Sequence, residues 1–284
     1  MKQRQILTTE PRPFVKWAGG KRQLVPIIER HIPKEFGTYY EPFLGGGAVL
    51  FYLLGKNPEM RCNVSDLNSD LVLAYVTIRD RVEELISSLQ THAKNYHKNP
   101  DSYYYSVREG QPKSQIEKVS RLLFLNRTCF NGLYRVNSKG KFNVPLGRYS
   151  NPNIVNEENL ISVSQILQSK KIQISCRDFS SIIHDAKKND FVYFDPPYQP
   201  VSRTANFTSY TNRDFTYEDL QRLVGASEKL ADKGCRVLHS NSNSREVRDL
   251  FSRDWKVVEI SANRAINSDS TKRIGHRELL IKNY

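Results

Sequence analysis

Short apolar runs alternate with longer stretches in which an apolar residue recurs every three or four positions along this chain. The run Phe191-Val192-Tyr193-Phe194 is apolar, β-branched and aromatic, which predicts a buried strand of a parallel sheet. Other strands are predicted near residue 40 and at 62–64, 172–175, 236–238, 255–260 and 279–282. Helices are predicted from the turn after residue 20 to His31 and at 48–54, 69–80, 81–96, 115–127, 156–167, 217–233 and 244–251.

The order of these elements predicts an α/β fold with an insertion. Strands and helices alternate up to residue 67 and again from residue 157, which is typical of a parallel sheet covered by helices. Residues 68–156 are mostly helical. Within them, alternating residues on both sides of the turn 137–140 predict a β-hairpin.

The segment Asp195-Pro196-Pro197-Tyr198 directly follows the predicted buried strand. Ligands bind outside the carboxyl ends of parallel strands, and a proline nitrogen cannot donate a hydrogen bond, so the Asp195 and Pro196 carbonyls remain free acceptors. A carboxylate beside a free carbonyl can accept both hydrogens of a planar NH2 group, and the Tyr198 ring can stack on a base. These residues are therefore the candidate catalytic segment for an exocyclic amine. A strand that simply ends in a proline turn is the alternative.

Two further groups of residues predict a cofactor of the adenosine type. Phe43 precedes a glycine turn that contains Gly45 and Gly47, where a ligand can touch the backbone, and Asp66 ends the next strand at a spacing suited to ribose hydroxyls. Asp178-Phe179 follows the strand at 172–175 and could offer an acceptor and a ring to an adenine. Tight packing at the glycines, a helix-capping aspartate and a core phenylalanine are the corresponding structural alternatives.

The composition of the chain indicates which kinds of molecule it can bind. The 284 residues carry a formal net charge of +13 and a pI near 9.5, which favours a nucleic acid over the competing partner, a membrane surface. No apolar run is long enough to span a bilayer and no signal segment is visible, so a cytoplasmic location is expected. The four cysteines and six histidines lack metal-ligand spacing, so no metal is expected.

The positive charge is concentrated around the predicted hairpin. Residues 113–149 contain eight Lys or Arg residues, Arg127 and Arg148 among them, and a single acid, Glu117, which gives a net charge of +7. Aromatic and amide side chains are interleaved with these charges, as expected of a surface that contacts phosphates and bases. A solvated basic face is the alternative. Farther upstream, Gly19-Gly20-Lys21 could bind an anion or form a simple turn.

Several motifs together resemble those of Dam-type DNA adenine-N6 methyltransferases, which act on double-stranded GATC. The motifs span nearly the whole chain and comprise Lys16-Trp17-Ala18-Gly19-Gly20-Lys21, Glu41-Pro42-Phe43-Leu44-Gly45-Gly46-Gly47, Asp66-Leu67-Asn68-Ser69-Asp70-Leu71, Asn131-Gly132-Leu133-Tyr134-Arg135, Phe142-Asn143-Val144-Pro145, Gly147-Arg148-Tyr149 and Thr204-Ala205-Asn206-Phe207-Thr208. The resemblance implies a doubly wound Rossmann-like sheet that uses S-adenosylmethionine, formed by residues 1–67 and 157–284. It also implies a mostly helical DNA target-recognition domain at 68–156 that carries the hairpin.

The resemblance also implies roles for individual residues. Trp17 and Lys21 would lie against S-adenosylmethionine, and Asp66 would hold its ribose. Lys16 and Arg135 would contact the guanine end of the site, whereas Leu133 and Pro145 would recognise the opposite end. Phe130 and Asn131 would approach the space left by a flipped adenine, although related enzymes often have tyrosine where Phe130 stands. We further expect a monomer, and we expect the polar segment 199–214 to close over the flipped base.

Other functions remain open from the residues alone. The nearest is methylation of another exocyclic amine, cytosine N4 in DNA or a base in RNA. A DNA-binding module without chemistry would leave Asp195 and Tyr198 unexplained. A nicotinamide-dependent oxidoreductase would need a third, spaced glycine that this chain lacks.

Overall fold

The computed structural model describes residues 9–137, 139–198, 215–251, 254–262 and 276–284. The segment 199–214, for which we expect closure over the flipped base, lies outside the described residues, and so do residues 265–275. Within the described ranges the chain forms one seven-stranded sheet, nine α-helices and three short 3-10 helices.

The sheet is mixed, with a parallel centre. Its strands are β1 (Tyr39–Glu41), β2 (Cys62–Asp66), β3 (Ile172–Cys176), β4 (Phe191–Phe194), β5 (Arg236–Ser242), β6 (Lys256–Ala262) and β7 (His276–Lys282). They lie in the order β3-β2-β1-β4-β5-β7-β6. All pairs from β3 to β5 are parallel, whereas β7 is antiparallel to both of its neighbours. The predicted α/β fold and the buried strand at 191–194 are confirmed.

The strand order creates a crevice at the centre of the sheet. From β1 the chain proceeds outward to β2 and β3 and then returns to place β4 on the other side of β1. Helices that leave the carboxyl ends of β1 and β4 therefore diverge. At such a switch point α/β proteins bind their ligands.

Helices cover both faces of the sheet. They are α1 (Val25–Ile28), α2 (Ala48–Lys56), α3 (Ser69–Lys98), α4 (Pro100–Glu109), α5 (Gln115–Thr128), α6 (Glu157–Leu167), α7 (Ile182–Asp185), α8 (Tyr217–Asp232) and α9 (Arg245–Leu250). Along β4, Phe191 and Tyr193 belong to one hydrophobic cluster, whereas Val192 and Phe194 belong to another. The first cluster includes residues of α1 to α6, and the second includes residues of α7 to α9. The sheet is therefore doubly wound, as predicted.

The first helix is shorter than predicted. The sequence suggested a helix from the turn after residue 20 to His31, but α1 begins only at Val25 and is followed by a 3-10 turn, Glu29–His31. Pro26 explains the late start, because proline lacks an N–H and fits only the first turn of a helix.

The helical insertion between β2 and β3 shares the core of the sheet. α3 has non-helical dihedral angles at Arg81, the position where the sequence predicted one helix to end and the next to begin. Buried residues on both sides of this kink, such as Tyr75 and Leu89, belong to the same hydrophobic cluster as Tyr193. The insertion is thus packed on one face of the sheet through α3 and α5.

The predicted hairpin follows α5. Its inner arms are linked by hydrogen bonds from Phe130 N to the Pro145 carbonyl and from Gly147 N to the Thr128 carbonyl. Farther out, Asn143 N donates to the Arg135 carbonyl at 3.1 Å. In the described residues of the two arms the pairing consists of isolated bridges, Cys129 with Leu146 and Val136 with Phe142.

The glycine turn between β1 and α2 depends on backbone angles that other residues rarely adopt. Gly45 and Gly47 have φ of 50° and 69°, in the left-handed region. The Tyr75 hydroxyl donates to the Gly45 carbonyl at 3.0 Å, and a Cβ on Gly47 would lie 2.6 Å from that hydroxyl. Gly55, in the same helix that Gly47 caps, has nothing within 4 Å of the position of a Cβ.

Replacing these two glycines should have opposite effects. We expect Gly47→Ala to lower the free energy of unfolding by about 1 to 3 kcal/mol, since alanine is strained at this φ and crowds Tyr75. Gly55→Ala should raise it by about 0.5 to 1 kcal/mol, because alanine favours a helix. Urea denaturation of both variants measures the difference. Equal stability of the two variants would contradict the proposed strain at Gly47.

Candidate active site

The segment Asp195-Pro196-Pro197-Tyr198 leaves the carboxyl end of β4 at the switch point. The Asp195 side chain is 17% exposed, Pro196 is buried and Pro197 is exposed. The strand before them is completely buried, which fixes where the carboxylate emerges. The predicted catalytic segment therefore lies where the fold is expected to bind ligands.

Lys21 forms a buried ion pair with Asp195. The Lys21 side chain is 4% exposed, and its ammonium lies 2.8 Å from Asp195 Oδ1 and donates to the Gly19 carbonyl at 2.8 Å. Apart from this ion pair, Asp195 Oδ1 has no hydrogen-bond partner within the described part of the chain. The anion site considered for Gly19-Gly20-Lys21 is thus filled by the protein's own carboxylate.

Glu278 on β7 contacts Lys21 and Tyr198 and so extends the cluster formed by Lys21, Asp195 and Tyr198. The Tyr198 hydroxyl donates to Glu278 Oε2 at 2.7 Å, and Lys21 Nζ lies 3.9 Å from the same oxygen. The Lys21 ammonium is also 4.8 Å from the centroid of the Tyr198 ring. Glu278 was not predicted from the sequence, because an acid at the start of a strand is ordinarily exposed.

The glycine turn and Asp66 form a second part of the site. Asp66 accepts hydrogen bonds from Gly45 N and Asn68 N, both at 2.9 Å. Burial raises the pKa of Asp66, and these backbone hydrogen bonds oppose the rise. The Asp66 carboxylate still has capacity for a further hydrogen bond, because an ionised carboxylate has about four acceptor positions. The turn after β1 and the end of β2 are thereby held together.

Trp17 lies between the glycine turn and the hairpin. A Cβ on Gly45 would lie 3.1 Å from Trp17 Cδ1, and on the other side the Trp17 ring centroid is 5.1 Å from that of Tyr134. The Tyr134 hydroxyl in turn donates to Asp70 at 3.3 Å. The predicted cofactor turn and the predicted DNA-binding hairpin are therefore joined through one tryptophan.

Asp178 caps a turn and Phe179 packs in the core, which are the structural alternatives that the sequence left open for this pair. Asp178 accepts from Ser180 N at 3.0 Å, which caps a 3-10 turn, and from Arg222 at 2.9 Å. Burial alone would raise the pKa of Asp178, but the contacts with Ser180 and Arg222 outweigh it and lower the pKa. Phe179 is buried and stacks on Phe43, with 5.3 Å between centroids. A contact of this pair with adenine stays a prediction.

Lys16 is fixed to the insertion by a buried amide. Asn126 accepts from Lys16 N at 2.8 Å and donates to the carbonyls of Lys16 and Gly132, at 2.8 and 2.9 Å. The Lys16 ammonium lies 4.9 Å from the centroid of the Tyr149 ring. Asn126, another residue missed from the sequence, thus holds the motif that contains Lys16 and Trp17 against the hairpin.

The hairpin holds Arg135 in one orientation. Arg135 Nε donates to Asn143 Oδ1 at 2.8 Å, and its terminal nitrogen donates to the Asn143 carbonyl at 3.2 Å. Phe130 is 45% exposed and is followed by Asn131, which has a left-handed φ of 55°. An exposed aromatic ring and a fixed guanidinium on the same hairpin suit contact with a nucleic acid.

The other residues predicted to contact DNA differ in their exposure to solvent. Pro145 and Arg148 are exposed and Leu133 is half-buried. Arg127 is half-buried and donates to the Phe14 carbonyl at 2.8 Å, and burial lowers its pKa. The structure thus gives Arg127 a contact with the N-terminal segment, while its contact with DNA stays a prediction.

The chain matches a known family of DNA methyltransferases. The family of D12 class N6 adenine-specific DNA methyltransferases matches residues 17–266. The chain belongs to this family. The enzyme is therefore an adenine-specific DNA methyltransferase, and the resemblance found from the sequence motifs is confirmed.

Relatives match the methyltransferase over nearly its whole length. Type II methyltransferase M.MjaIII of Methanocaldococcus jannaschii is 42% identical over 290 residues, which cover 97% of this chain and 100% of that protein. Type II methyltransferase M1.LlaDCHI of Lactococcus lactis subsp. cremoris is 40% identical, covering 96% and 95%. DNA adenine methylase of Escherichia coli (strain K12) is 35% identical, covering 95% and 94%.

Neither a metal centre nor a membrane span is found in the part of the methyltransferase that the structure describes. Within those residues no three His, Cys, Asp or Glu side chains are grouped so that they could hold a metal ion. No described helix combines the length and apolar character needed to cross a bilayer.

The pH dependence of the methyltransferase should follow Asp195. Burial raises the pKa of Asp195 from 3.8 to about 6, against the opposing effect of Lys21. If the ionised form accepts the amine hydrogens, kcat/KM should fall about tenfold per pH unit as the pH drops below about 6. Steady-state rates between pH 5 and 8 measure this. A profile that is flat down to pH 5 would exclude Asp195 as the titrating group.

Proposed function

We propose that this methyltransferase transfers a methyl group from S-adenosylmethionine to N6 of a flipped adenine in double-stranded GATC. The observation that carries the proposal is the partly exposed Asp195 carboxylate, which lies at the switch point beside Lys21 with open acceptor capacity. A planar amine needs such acceptors, and no nucleophilic side chain is required.

The residues around the glycine turn fit S-adenosylmethionine. Gly45 and Gly47 shape the turn through their left-handed φ angles, Asp66 keeps capacity for a hydrogen bond from a ribose hydroxyl, and Trp17 provides an aromatic surface. Phe43 lies at the same turn. The carboxylates of Asp195 and Glu278 outnumber the single ammonium of Lys21, which favours a cationic cofactor. When bound, the cofactor supplies an electrophilic methyl group.

Asp195 would act on the amine by orientation and polarisation. The amine of adenine is a poor nucleophile because its lone pair is delocalised into the ring. The carboxylate and the adjacent carbonyls, which precede prolines, can accept its two hydrogens and so direct the lone pair towards the methyl group. With a pKa of about 6, Asp195 is ionised at neutral pH and can later take up the proton that the methylated amine releases.

Access to the amine requires that the adenine leave the duplex. A stacked and paired base cannot reach a carboxylate at the end of a buried strand, and flipping costs a few kcal/mol. The exposed ring of Phe130, next to Asn131, is suited to fill the vacated space, and Tyr198 offers a face for the flipped base. The basic residues of 113–149 would bind the surrounding phosphates.

Specificity for GATC is proposed from the hairpin and the first motif. An arginine held by two hydrogen bonds, as Arg135 is by Asn143, can present its remaining donors to guanine O6 and N7. Lys16 would contact the same end of the site, and Leu133 and Pro145 the opposite end. In this proposal residues 68–156 form the target-recognition domain, and residues 1–67 with 157–284 form the catalytic domain.

Replacing Asp195 should abolish catalysis. We expect Asp195→Ala to remove methyl transfer to below 1% of the wild-type rate, on the order of 100-fold or more, because the amine loses its charged acceptor. The fold should persist, as shown by circular dichroism. Labelled-methyl transfer to a GATC duplex, a GATC-free duplex and an RNA measures both activity and substrate. Near-wild-type turnover of the folded variant would refute the catalytic assignment, and transfer to the RNA or to cytosine would favour another amine.

Arg135 should determine specificity. Arg135→Ala should cost about 1 to 3 kcal/mol in discrimination at one guanine of GATC. Lys141→Ala, which removes an exposed charge of the same hairpin, should weaken all sequences alike and reduce the salt dependence of binding. Rates and affinities on singly substituted duplexes separate the two effects. An equal loss on every duplex would show that Arg135 contacts only phosphate.

A further inference from the structure

Glu278 is a buried acid with an unusual position in the sheet. It lies on β7 opposite Ser242 of β5 and Ile260 of β6, and it is followed by the apolar run Leu279 to Ile281. Its side chain is only 8% exposed. A carboxylate so well shielded from water is stable only with close polar partners, so those partners indicate its function.

Both partners of Glu278 belong to the candidate active site. One oxygen, Oε2, accepts the Tyr198 hydroxyl at 2.7 Å and lies 3.9 Å from Lys21 Nζ. Lys21 in turn lies 2.8 Å from Asp195, in the same motif as Tyr198. The contacts thus form a closed ring in which β7 supports the motif that leaves β4.

We propose that Glu278 is a positioning residue of the methyltransferase, which fixes the Tyr198 ring and shares the Lys21 ammonium with Asp195. The inference rests on the proposed roles of Asp195 and Tyr198. Glu278 itself acts through these neighbours and not on the substrate.

The first effect concerns the ring. A hydrogen bond at the hydroxyl of a tyrosine fixes the rotation about Cα–Cβ, because that rotation would carry the hydroxyl away from its acceptor. Rotation of the ring about Cβ–Cγ leaves the hydroxyl in place, and here the Lys21 ammonium lies over one face of the ring, 4.8 Å from its centroid. With its hydroxyl held by Glu278, Tyr198 presents a stationary face on which a flipped base can stack. Without that anchor the base would spend less time in the reactive orientation.

The second effect concerns charge. Among the described residues, five titratable groups interact electrostatically with Asp195. They are Lys21 from the N-terminal segment, Glu41 from β1, Tyr193 and Tyr198 from its own chain segment, and Glu278 from β7. The negative charge of Glu278 draws on the same ammonium and raises the pKa of Asp195, whereas Lys21 lowers it. Asp195 is therefore only partly neutralised and keeps its strength as an acceptor.

Glu278→Gln separates charge from hydrogen bonding. The amide oxygen can still accept from Tyr198, so kcat at the pH optimum should stay within about threefold of wild type. Loss of the negative charge should lower the pKa of Asp195 and shift the acid limb of kcat/KM to lower pH, by about 0.5 to 1 unit. A merely structural role for Glu278 would not move this limb.

Glu278→Ala and Tyr198→Phe test the anchor. Each should lower kcat about 10-fold to 100-fold, and the double variant should be no slower than the slower single variant, because one hydrogen bond is removed in every case. Tyr198→Phe keeps the charge of Glu278, so its acid limb should match wild type. If Glu278→Ala fails to fold, Glu278→Gln and Tyr198→Phe still decide the question.

Glu259→Gln is the matched control. Glu259 lies on the adjacent strand β6 and pairs at the surface with Arg248 and Arg277, so its variant should keep both kcat and the acid limb. The inference about Glu278 would be overturned if Glu278→Gln and Tyr198→Phe both had the kcat and the acid limb of wild type. Additive losses of kcat in the double variant would overturn it as well. If the proposed function itself is wrong, Asp195→Ala will retain turnover, so this failure can be distinguished from failure of the inference about Glu278.

Discussion

The ion pair between Lys21 and Asp195 is the interaction on which the rest of the site depends. It joins the segment before α1 to the end of β4, and it keeps a carboxylate charged where burial opposes ionisation. Because folding raises the pKa of Asp195 above 3.8, ionising it as the pH rises through about 6 reduces the stability of the fold. The site is therefore maintained at an energetic cost, which the continuous core on both faces of the sheet offsets.

Two contacts connect this centre to the proposed DNA-binding surface. Asn126 satisfies the backbone of Lys16 and the carbonyl of Gly132, and Trp17 packs between Gly45 and Tyr134. The proposed cofactor turn, the proposed catalytic segment and the hairpin are thus parts of one packed unit. A displacement of the hairpin by bound DNA would also shift the glycine turn, because packed interiors transmit strain.

Much of the fold and of the site was predictable, because local chemistry determines it. The apolar run at 191–194 specified a buried strand, and the prolines after Asp195 specified free acceptors. Even the kink at Arg81 in α3 coincided with a predicted helix boundary. Where two local interpretations were equally good, as for Asp178, only the observed contacts with Ser180 and Arg222 decided between them.

By itself, the sequence determined the element types, the candidate catalytic segment, the basic hairpin and membership of the family, since each rests on residues that are near one another in the chain. Tertiary structure alone decided which distant residues meet. Glu278 and Asn126 carry no local signal, because an acid in a strand or an amide in a helix is ordinarily exposed. Their significance comes from strand pairing and helix packing, which bring β7 beside β5 and α5 beside Lys16, and so place single polar groups against Tyr198, Lys21 and Gly132.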